Sequence, residues 1–458
     1  MSSVVVIGGG VAGLTTAYRL LQGDPELSVT VLEAADRPGG RLTSLEIADV
    51  EIDAGPDSFV ARKPWAVELC RELGLRLAEP GASGAYVWTD GGLVPLPPTA
   101  LGIPADVGAL IRWPALSRVG RFGALSDLVR QARPQENDEA LGALLRRRVG
   151  GEATDRLVGP LLGGLFAGDV DELGVRSTFP ELAAWERTFG SLIRAARAAS
   201  KAASGAGPIF VKPVAGVHAL PRSLVAAIGD MRVRTSSGAT EVVPDGDAFV
   251  VRTADGDVAV DGVVVATPSF ATADMLRDTV PDAARHLDRI RYVSTAVVAL
   301  VYGEGTADAL PDATGFVVPK ERAPMTAATF LSRKWPDQAF GDRAVVRCFV
   351  GAAGTEDVLD SADEDIVDAV SRHLAALLPL PERAEASAVV RWPRSMPQYG
   401  VGHLDRVAAI EAALPPGIFV VGNAYRGVGI ADTVRAATEV AERVRTHVAG
   451  TVRTEKVR

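Results

Sequence analysis

Three glycines near the start of the chain have the spacing of a phosphate-binding turn. Gly8, Gly10 and Gly13 follow the apolar run 4–7 and precede a segment, 14–21, with helical periodicity. In a strand–turn–helix unit, the first glycine permits the tight turn, the second lets a pyrophosphate approach bare backbone, and the third lets helix and strand pack closely. The phosphates then meet the helix N-terminus, where backbone N–H groups point at the anion.

An acidic residue follows at the distance where a bound ribose would need it. Glu33 ends a second predicted strand, 29–32, about twenty residues after Gly13. Its carboxylate would accept hydrogen bonds from the ribose diol and would repel a 2′-phosphate, which disfavours NADP. A purely structural glycine turn is the competing interpretation. The strand, the helix and the acidic residue together favour a dinucleotide site.

Basic residues follow two turns near this predicted site. Arg41 comes directly after the Pro-Gly-Gly turn 38–40, from which it could reach a phosphate on the side opposite the helix. Arg62 and Lys63 follow a short predicted strand and a Gly-Pro turn within 50–59. In both places the competing interpretation is a surface turn with solvated side chains.

The elements that must position these residues come from distant parts of the chain. The apolar runs 263–266 and 417–422 predict buried strands that join the sheet of the first strand. A long helix is predicted over 430–448, directly after a loop at 423–429. The sheet is therefore expected to combine both chain ends with a middle segment, and the other elements are inserted between them.

The predicted fold class is α/β, with a Rossmann-type dinucleotide domain assembled from discontinuous segments, an inserted mixed α+β domain and a helical subdomain. Within the mixed domain, strands are predicted at 293–302, 314–319, 325–331 and 344–350 and a helix at 363–378, whereas 392–406 is predicted to be a Pro-rich loop. The predicted division is as follows: dinucleotide domain, 1–75, 205–268 and 385–448; mixed domain, 76–104 and 269–384; helical subdomain, 105–204; flexible tail, 449–458.

Composition excludes several classes of function. A net charge of -9 over 458 residues argues against nucleic acid, and the chain has neither an apolar run long enough to span a membrane nor a signal-peptide pattern at its start. Cys70 and Cys348 form no motif, and the five histidines are dispersed, so neither a disulfide framework nor a metal site is predicted. A cytoplasmic setting fits best, and no nucleophile turn supports a hydrolase.

Four further segments carry a family resemblance in combination with the N-terminal pattern. They are 55–59 (Gly-Pro-Asp-Ser-Phe), 164–169 (Gly-Leu-Phe-Ala-Gly-Asp), 391–403 (Arg-Trp-Pro-Arg-Ser-Met-Pro-Gln-Tyr-Gly-Val-Gly-His) and 421–432 (Val-Gly-Asn-Ala-Tyr-Arg-Gly-Val-Gly-Ile-Ala-Asp). Together they resemble the protoporphyrinogen/coproporphyrinogen III oxidase family of FAD-dependent flavoproteins, which is related to the amine oxidases. The resemblance runs from residue 3 to about 445.

The resemblance implies FAD, held non-covalently because the C-terminal loop contains no cysteine for a thioether link. The contacts implied for its ADP half are Gly8, Gly10, Val11, Ala12, Gly13, Glu33, Ala34, Gly40 and Arg41, with Ala239 near the adenine. Those implied for the ring end are Gly55, Pro56, Asp57, Ser58, Trp392, Gly422, Val428, Gly429 and Ile430. The C-terminal helix would direct its N-terminus at the flavin and stabilise the reduced anion.

The family chemistry needs substrate positioning rather than an acid or base from the protein. A reduced macrocycle gives hydride from a meso carbon to flavin N5 in three two-electron rounds, and O₂ reoxidises the flavin to yield H₂O₂. By the same resemblance, Arg62 or Lys63 pairs with a propionate, and Val170 and Val317 form apolar walls of the cavity.

The predicted substrate is coproporphyrinogen III, which carries four propionates. The arginines between 112 and 148 and the lack of a strongly apolar membrane-binding patch favour it over protoporphyrinogen IX. Three further functions compete with this prediction: a flavin amine oxidase, for which Tyr425 offers only one wall of an aromatic cage, a carotenoid desaturase, and a flavin scaffold without turnover. O₂ is the expected co-substrate. A downstream enzyme of the heme pathway is a candidate partner, and peripheral association with a membrane is a further candidate interaction.

Overall fold

The fold is described by a computed structural model for residues 2–89, 91–203, 205, 207–319, 323–336 and 338–455. The strands are β1 (Ser3–Ile7), β2 (Ser28–Leu32), β3 (Ser44–Ile47), β4 (Val50–Asp53), β5 (Phe59–Val60), β6 (Leu77–Ala78), β7 (Tyr86–Thr89), β8 (Gly92–Pro95), β9 (Thr99–Ala100), β10 (Ile103–Pro104), β11 (Phe210–Pro213), β12 (Val233–Arg234), β13 (Ala239–Asp245), β14 (Ala248–Thr253), β15 (Gly256–Val260), β16 (Gly262–Val265), β17 (Tyr292–Glu304), β18 (Gly315–Val317), β19 (Ala327–Phe330), β20 (Arg343–Val350), β21 (Ala386–Pro397) and β22 (Ile418–Val420).

The helices follow the same chain order. They are α1 (Val11–Gly23), α2 (Pro64–Glu72), α3 (Val107–Arg112), α4 (Arg118–Leu125), α5 (Leu141–Val149), α6 (Gly151–Ala153), α7 (Gly159–Gly164), α8 (Val175–Thr178), α9 (Pro180–Phe189), α10 (Leu192–Ala202), α11 (Ala219–Ile228), α12 (Ser269–Leu276), α13 (Pro281–Asp288), α14 (Leu331–Lys334), α15 (Asp363–Leu377), α16 (His403–Ala413) and α17 (Ile430–Glu455). Short 3₁₀ turns occur at Ser126–Leu128, Asp230–Arg232, Ala307–Ala309 and Glu356–Asp360, and a π-helical turn at Thr154–Val158.

A five-stranded parallel sheet joins three distant parts of the chain. Its strand order is β12–β2–β1–β16–β22, and all of its neighbouring strands are parallel. Val263 of β16 lies opposite Val5 of β1, and Val264 lies opposite Phe419 of β22. The prediction that the middle segment and the C-terminal strand join the first strand is therefore confirmed.

The central strands of this sheet are buried on both faces, as their unbroken β-branched runs require. Alternate residues of β1 face opposite sides: Val4 and Val6 pack with α1, α11 and α17, whereas Val5 and Ile7 pack with β13–β15, α12, α13 and α16. The carboxyl ends of β1, β16 and β22 are thereby held at one edge of the sheet, where open parallel sheets bind their ligands.

A second sheet of seven strands forms the mixed domain. Its order is β21–β17–β20–β19–β18–β7–β8, and its pairs are antiparallel except for β18 with β7. The strands predicted for this domain and its helix, α15, are confirmed. The prediction of a loop over 392–406 is wrong. β21 continues to Pro397 at the sheet edge, where Pro393 is tolerated because only one side of an edge strand needs donors, and α16 begins at His403.

The helices α3–α10 enclose a hydrophobic cluster of their own, in agreement with the predicted helical subdomain. At the other end of the chain, α17 continues to Glu455, past residue 449, where the sequence predicts a flexible tail to begin. Residues 456–458 of that tail lie outside the described residues. Among the helices that the structure describes, none is both long and apolar enough to cross a membrane.

Candidate active site

The N-terminus of α1 lies directly behind the end of β1 and is open to a ligand. Gly10 occupies the N-cap position with no side chain to cap the helix, and Val11 and Ala12 begin a first turn without an acidic residue. A Cβ atom added to Gly10 would meet nothing within 4 Å, whereas one on Gly13 would collide with the carbonyl of Gly8. Helix and strand are therefore packed as closely as the spacing predicts, and room remains beside the free N–H groups.

Glu33 lies at the end of β2, and both of its carboxylate oxygens have backbone partners. Oε2 accepts from Gly9 N at 2.7 Å and Oε1 accepts from Ala35 N at 2.8 Å. A carboxylate has about four acceptor positions, so capacity remains for the hydroxyls of a ribose. Glu33 also pins the glycine turn to the neighbouring strand, a role that the sequence did not indicate.

The residues expected near the adenine lie beside this carboxylate. The N–H of Ser237 donates to the carbonyl of Glu33 at 2.8 Å, and a Cβ on Gly238 would lie 3.2 Å from the side chain of Ala34. Ala239 follows as the first residue of β13. The structure thus brings Ala34 and Ala239 to the same end of the parallel sheet as Glu33.

Arg41 offers a cation without a carboxylate partner among the described residues. Its loop is fixed to the glycine turn, because Gly39 N donates to Gly9 O at 2.8 Å and a Cβ on Gly40 would lie 3.4 Å from the Cα of Gly10. Burial lowers the pKa of the Arg41 guanidinium. A half-buried, unpaired cation beside an uncapped helix N-terminus suits a phosphate anion, so these residues fit the ADP half of FAD.

The 53–58 loop, which the family resemblance places against the flavin ring, is held through its carbonyl groups. Arg347 Nη1 donates to the carbonyls of Asp53 and Gly55 at 2.7 and 2.8 Å, and Trp392 Nε1 donates to the carbonyl of Ala54 at 2.9 Å. The N–H groups of Gly55, Asp57 and Ser58 donate no hydrogen bond to the described residues. Donors therefore remain available for polar atoms of a ligand.

The side chain of Asp57 points into the protein and joins a buried ionic cluster. Its carboxylate accepts from Lys334 at 2.9 Å and from Trp335 Nε1 at 3.2 Å, and it lies 3.5 Å from Arg347. Burial alone would raise the pKa of Asp57, but the charges of Lys334 and Arg347 outweigh it and hold that pKa well below its usual range. The Asp57 carboxylate is thus engaged by the protein, and Ser58 Oγ donates to it at 3.0 Å.

The C-terminal loop 422–429 leads into the N-terminus of α17. Gly422 has a positive φ, and a Cβ added there would meet nothing within 4 Å. The phenol of Tyr399 fixes the loop from behind: its hydroxyl donates to Asn423 O at 2.6 Å and accepts from Gly427 N at 2.9 Å. Gly429 and Ile430 form the entry to a 26-residue helix, so free N–H groups face the loop here as they do at α1.

The two candidate propionate partners differ in their surroundings. Lys63 Nζ forms an ion pair with Asp432 Oδ2 at 2.6 Å, which ties the start of α2 to the first turn of α17. Arg62 is exposed and has no carboxylate partner among the described residues. The positive charge of Lys63 is therefore balanced within the fold, whereas that of Arg62 is not.

The predicted cavity walls meet in one hydrophobic cluster. Val170 is buried in the cluster of the helical subdomain, and Val317 of β18 packs against it from the mixed sheet. Val428 of the C-terminal loop packs against the same cluster. Val170, Val317 and Val428, which lie far apart in the sequence, therefore border the same hydrophobic cluster. Pro56 lies in the 53–58 loop.

Sequence reasoning missed three positioning side chains, Lys334, Arg347 and Tyr399. A signal was present for Arg347, because it interrupts the apolar strand β20 and a buried cation requires a partner. Tyr399 lies in the 391–403 segment that carries the family resemblance, but the sequence does not indicate its hydrogen bonds to the C-terminal loop. Within the described residues, no three His, Cys, Asp or Glu side chains gather where they could hold a metal ion.

His403 stacks on Tyr399 and gives the site a predicted pH dependence. The ring centroids are 3.9 Å apart, and His403 Nε2 contacts the carbonyl of Tyr425 at 2.9 Å. Burial lowers the pKa of His403 to about 4, because protonation would leave a buried Nδ1–H without an acceptor. A carbonyl can only accept, so Nε2 carries the proton in the neutral ring.

Acidification is expected to loosen the C-terminal loop. The pKa of His403 is 6.5 in the unfolded chain and about 4 in the folded chain, so the unfolded chain takes up the proton first as the pH falls. The contribution of the neutral His403 ring to the free energy of unfolding is therefore complete above pH 6.5, and up to about 3 kcal/mol of it is lost on acidification. His403→Phe keeps the stacking and should flatten the slope of unfolding free energy between pH 6.5 and 4, measured by urea titration. An unchanged slope would contradict this assignment.

Comparisons with known proteins match nearly the whole chain. The family model for flavin containing amine oxidoreductase matches residues 11–445. Coproporphyrinogen III oxidase of Bacillus subtilis is 32% identical over 449 residues, and the match covers 94% of this chain and 95% of that protein. The protein of the same name from Mycobacterium tuberculosis is 34% identical over 463 residues, and the match covers 98% of this chain and 99% of that protein. A solved structure of a proposed protoporphyrinogen oxidase from Exiguobacterium sp. 255-15 matches with a TM-score of 0.87 and 29% identity, covering 97% of this chain and 99% of that one. These matches span both sheets and the helical subdomain.

Proposed function

The chain belongs to the flavin containing amine oxidoreductase family, and from that premise we propose that it oxidises coproporphyrinogen III to coproporphyrin III in heme biosynthesis. It is an FAD-dependent oxidase. The observation that carries the choice of substrate is the full-length match, at 32–34% identity, to bacterial proteins named coproporphyrinogen III oxidase.

The reaction removes six electrons and six hydrogens from the macrocycle. FAD, when bound, would supply the redox chemistry, with capacity for two electrons in each of three rounds and O₂ as the final acceptor that is reduced to H₂O₂. Because aromatisation drives the reaction, the residues of this chain bind and orient the substrate and exclude water, and none is assigned as an acid or base.

We assign the ADP half of FAD to the glycine turn, Glu33 and Arg41, and the ring end to the 53–58 loop, Trp392 and the C-terminal loop 422–430. The uncapped N-terminus of α1 and the unpaired Arg41 support the first assignment, and the free N–H groups of both loops support the second. With this assignment, residues 1–75, 205–268 and 385–448 hold the cofactor, and residues 76–104 and 269–384 hold the substrate with the helical subdomain 105–204. Two elements depart from these bounds: β21 pairs within the mixed sheet, although its Trp392 reaches the 53–58 loop, and α12 and α13 pack on the parallel sheet.

Arg62 is the better of the two candidates for a propionate. Lys63 is already paired with Asp432, so its use by the substrate would cost an existing ion pair. Val170 and Val317 are proposed as the apolar walls that face the tetrapyrrole; the hydrophobic cluster that they share with Val428 of the C-terminal loop supports this assignment.

Arg62→Ala is expected to raise KM for coproporphyrinogen III about tenfold with little change in kcat, because a propionate contact binds substrate and transition state equally. Steady-state kinetics measures both. Arg71→Ala, which removes another exposed arginine from the adjoining helix α2, is the matched control and should change neither constant. An unchanged KM in Arg62→Ala would refute the propionate contact.

Most arginines of the 112–148 segment hold the fold together, so their number is a weak argument for an anionic substrate. Three of these arginines form ion pairs with carboxylates: Arg146 with Asp155 and Asp171, Arg147 with Glu139 and Glu186, and Arg148 with the buried Asp127. Two others, Arg121 and Arg130, donate hydrogen bonds to backbone carbonyls. The preference for coproporphyrinogen therefore depends on the relatives and not on these charges.

Turnover of the purified protein decides between substrates. The absorbance spectrum should show bound flavin, and aerobic assays with both porphyrinogens should show faster oxidation of coproporphyrinogen III. Protoporphyrinogen IX is the second candidate, because the similar solved structure carries that name; a clear preference for it would overturn the proposal. An amine substrate has less support, since Tyr425 is buried in the core of the parallel sheet and offers no wall to a cavity.

We also propose peripheral contact with an anionic membrane through α3, α4 and the turn after them. The sequence predicts no strongly apolar membrane-binding patch, but Val119, Phe122 and Val129 are 80%, 76% and 84% exposed. Exposed Arg112 and Arg118 lie among them. Apolar side chains interspersed with cations suit insertion at an anionic lipid surface.

The triple variant Val119→Ser, Phe122→Ser, Val129→Ser should reduce binding to phosphatidylglycerol vesicles at least tenfold in co-sedimentation, because each apolar side chain contributes about 1 kcal/mol or more on insertion. Met231→Ser removes a 95% exposed side chain elsewhere and should leave vesicle binding unchanged. Equal binding by the triple variant and the wild type would rule out this surface.

The reaction is proposed to take place in the cytoplasm, which suits the two free, buried cysteines. Its metal-free product is proposed to pass to a following enzyme of the heme pathway.

A further inference from the structure

A cluster of buried charges lies against the 53–58 loop, and the proposed function does not account for it. Lys212, Lys334 and Arg347 supply the cations, and Asp53 and Asp57 supply the anions. The side chains of all five are at most 10% exposed. Burying so many charges is costly unless they are paired and hydrogen-bonded, so the balance of charge within the cluster matters.

The cluster holds one more cation than it has anions. Lys212 and Asp53 form a pair at 3.4 Å with no net charge. Asp57 is shared by Lys334 at 2.9 Å and Arg347 at 3.5 Å, so within the part of the chain that the structure describes, one positive charge of these two has no carboxylate of its own. His218 also touches Asp53, but it lies 3.3 Å from Glu51, whose carboxylate balances any proton on the ring.

The uncompensated charge is in contact with the loop itself. Arg347 donates to two carbonyls of the loop, which fixes its guanidinium against the backbone of Asp53 and Gly55. The indole of Trp335 lies between the ammonium groups, 4.7 Å from Lys212 and 5.2 Å from Lys334, and keeps them in an apolar surrounding. In such a low-dielectric place a fixed charge acts over a longer distance than it does in water.

We propose that this cluster stabilises the reduced form of bound FAD and thereby sets its reduction potential. Two-electron reduction adds two electrons and one proton to the isoalloxazine, so the reduced form carries one more negative charge than the oxidised form. The fixed positive charge behind the loop lowers the free energy of that anion relative to the neutral oxidised ring. The inference rests on the proposed place of FAD at the 53–58 loop and does not depend on which porphyrinogen is oxidised.

The test compares variants that change the charge in opposite directions. Arg347→Met and Lys334→Met each leave Asp57 with one cation, and each should lower the equilibrium constant for reduction about tenfold, which is about 30 mV toward more negative potential for a two-electron couple. Asp57→Asn adds to the positive excess and should shift the potential the other way. Midpoint potentials are measured on the holoprotein without porphyrinogen, by spectroscopic titration against reference dyes.

Two controls separate charge from shape. Arg347→Lys keeps the charge but loses the paired hydrogen bonds, and its potential should stay near that of the wild type. Arg343→Met removes an arginine from the same face of β20. Arg343 donates to the carbonyl of Ala48 at 2.8 Å, in the turn between β3 and β4, and its loss should leave the potential unchanged. Shifts of the same sign in Lys334→Met and Asp57→Asn, or no shift in either, would overturn the proposal. Absence of bound FAD from the wild-type protein would instead count against the proposed function.

Discussion

Replacing Gly10 with valine is expected to give a folded protein without flavin. A side chain at this position extends into open space beside the N-terminus of α1, so it strains nothing within the protein but occupies the place proposed for the pyrophosphate. Loss of two charge-assisted hydrogen bonds to phosphate would weaken FAD binding roughly 100-fold or more.

Flavin absorbance after gel filtration and titration of the apoprotein with FAD measure this loss. The melting temperature of Gly10→Val should equal that of wild-type apoprotein, because only the stabilisation by bound ligand is gone. Gly151→Val is the control, since a Cβ at that glycine also meets nothing within 4 Å but lies in the helical subdomain, far along the chain from the glycine turn. A yellow Gly10→Val protein would show that FAD binds elsewhere.

Arg148→Met is expected to destabilise the helical subdomain by about 3–5 kcal/mol without a specific effect on substrate affinity. Arg148 is 1% exposed, its Nε lies 2.6 Å from the fully buried carboxylate of Asp127, and it also donates to the carbonyl of Gly190 at 2.6 Å. Removing it leaves the Asp127 charge buried, with Ser191 and Ile193 as its remaining hydrogen-bond donors among the described residues.

Urea unfolding and limited proteolysis within 105–204 report this loss. Arg112→Met, at an exposed arginine of α3, should change the unfolding free energy by no more than about 0.5 kcal/mol. If Arg148→Met instead raised KM at unchanged stability, the arginines of this segment would have to be assigned to substrate binding.

The parallel sheet and the geometry of the glycine turn beside Glu33 could be predicted because their signals are local. A β-branched run, a glycine spacing and an acidic residue at a fixed distance each constrain the backbone directly around them, and Gly10 and Glu33 lie where that reasoning placed them. The strand β21 was missed because its prolines indicate a loop, and only its position at the sheet edge makes them compatible with a strand.

The 53–58 loop could be predicted only in part, because its supports are long-range contacts to backbone atoms. Arg347 donates to the carbonyls of Asp53 and Gly55, which precede it in the sequence by nearly three hundred residues. Because every residue has a backbone carbonyl, the residue type at these positions does not indicate the contact. Exposure is equally hard to foresee: Phe122 has the spacing of a core residue, yet it faces outward, because whether a helix face is covered depends on the neighbouring elements.

The order of strands in the parallel sheet restricts when the protein can fold during synthesis. β1 pairs with β16, some 258 residues later, and β16 pairs in turn with β22 near the end of the chain. While the chain emerges from the ribosome, β1 and β2 have unpaired apolar edges, which are prone to aggregate. The parallel sheet therefore cannot be completed until β22 has been synthesised, and the N-terminus of α17 joins the site only after that strand is in place.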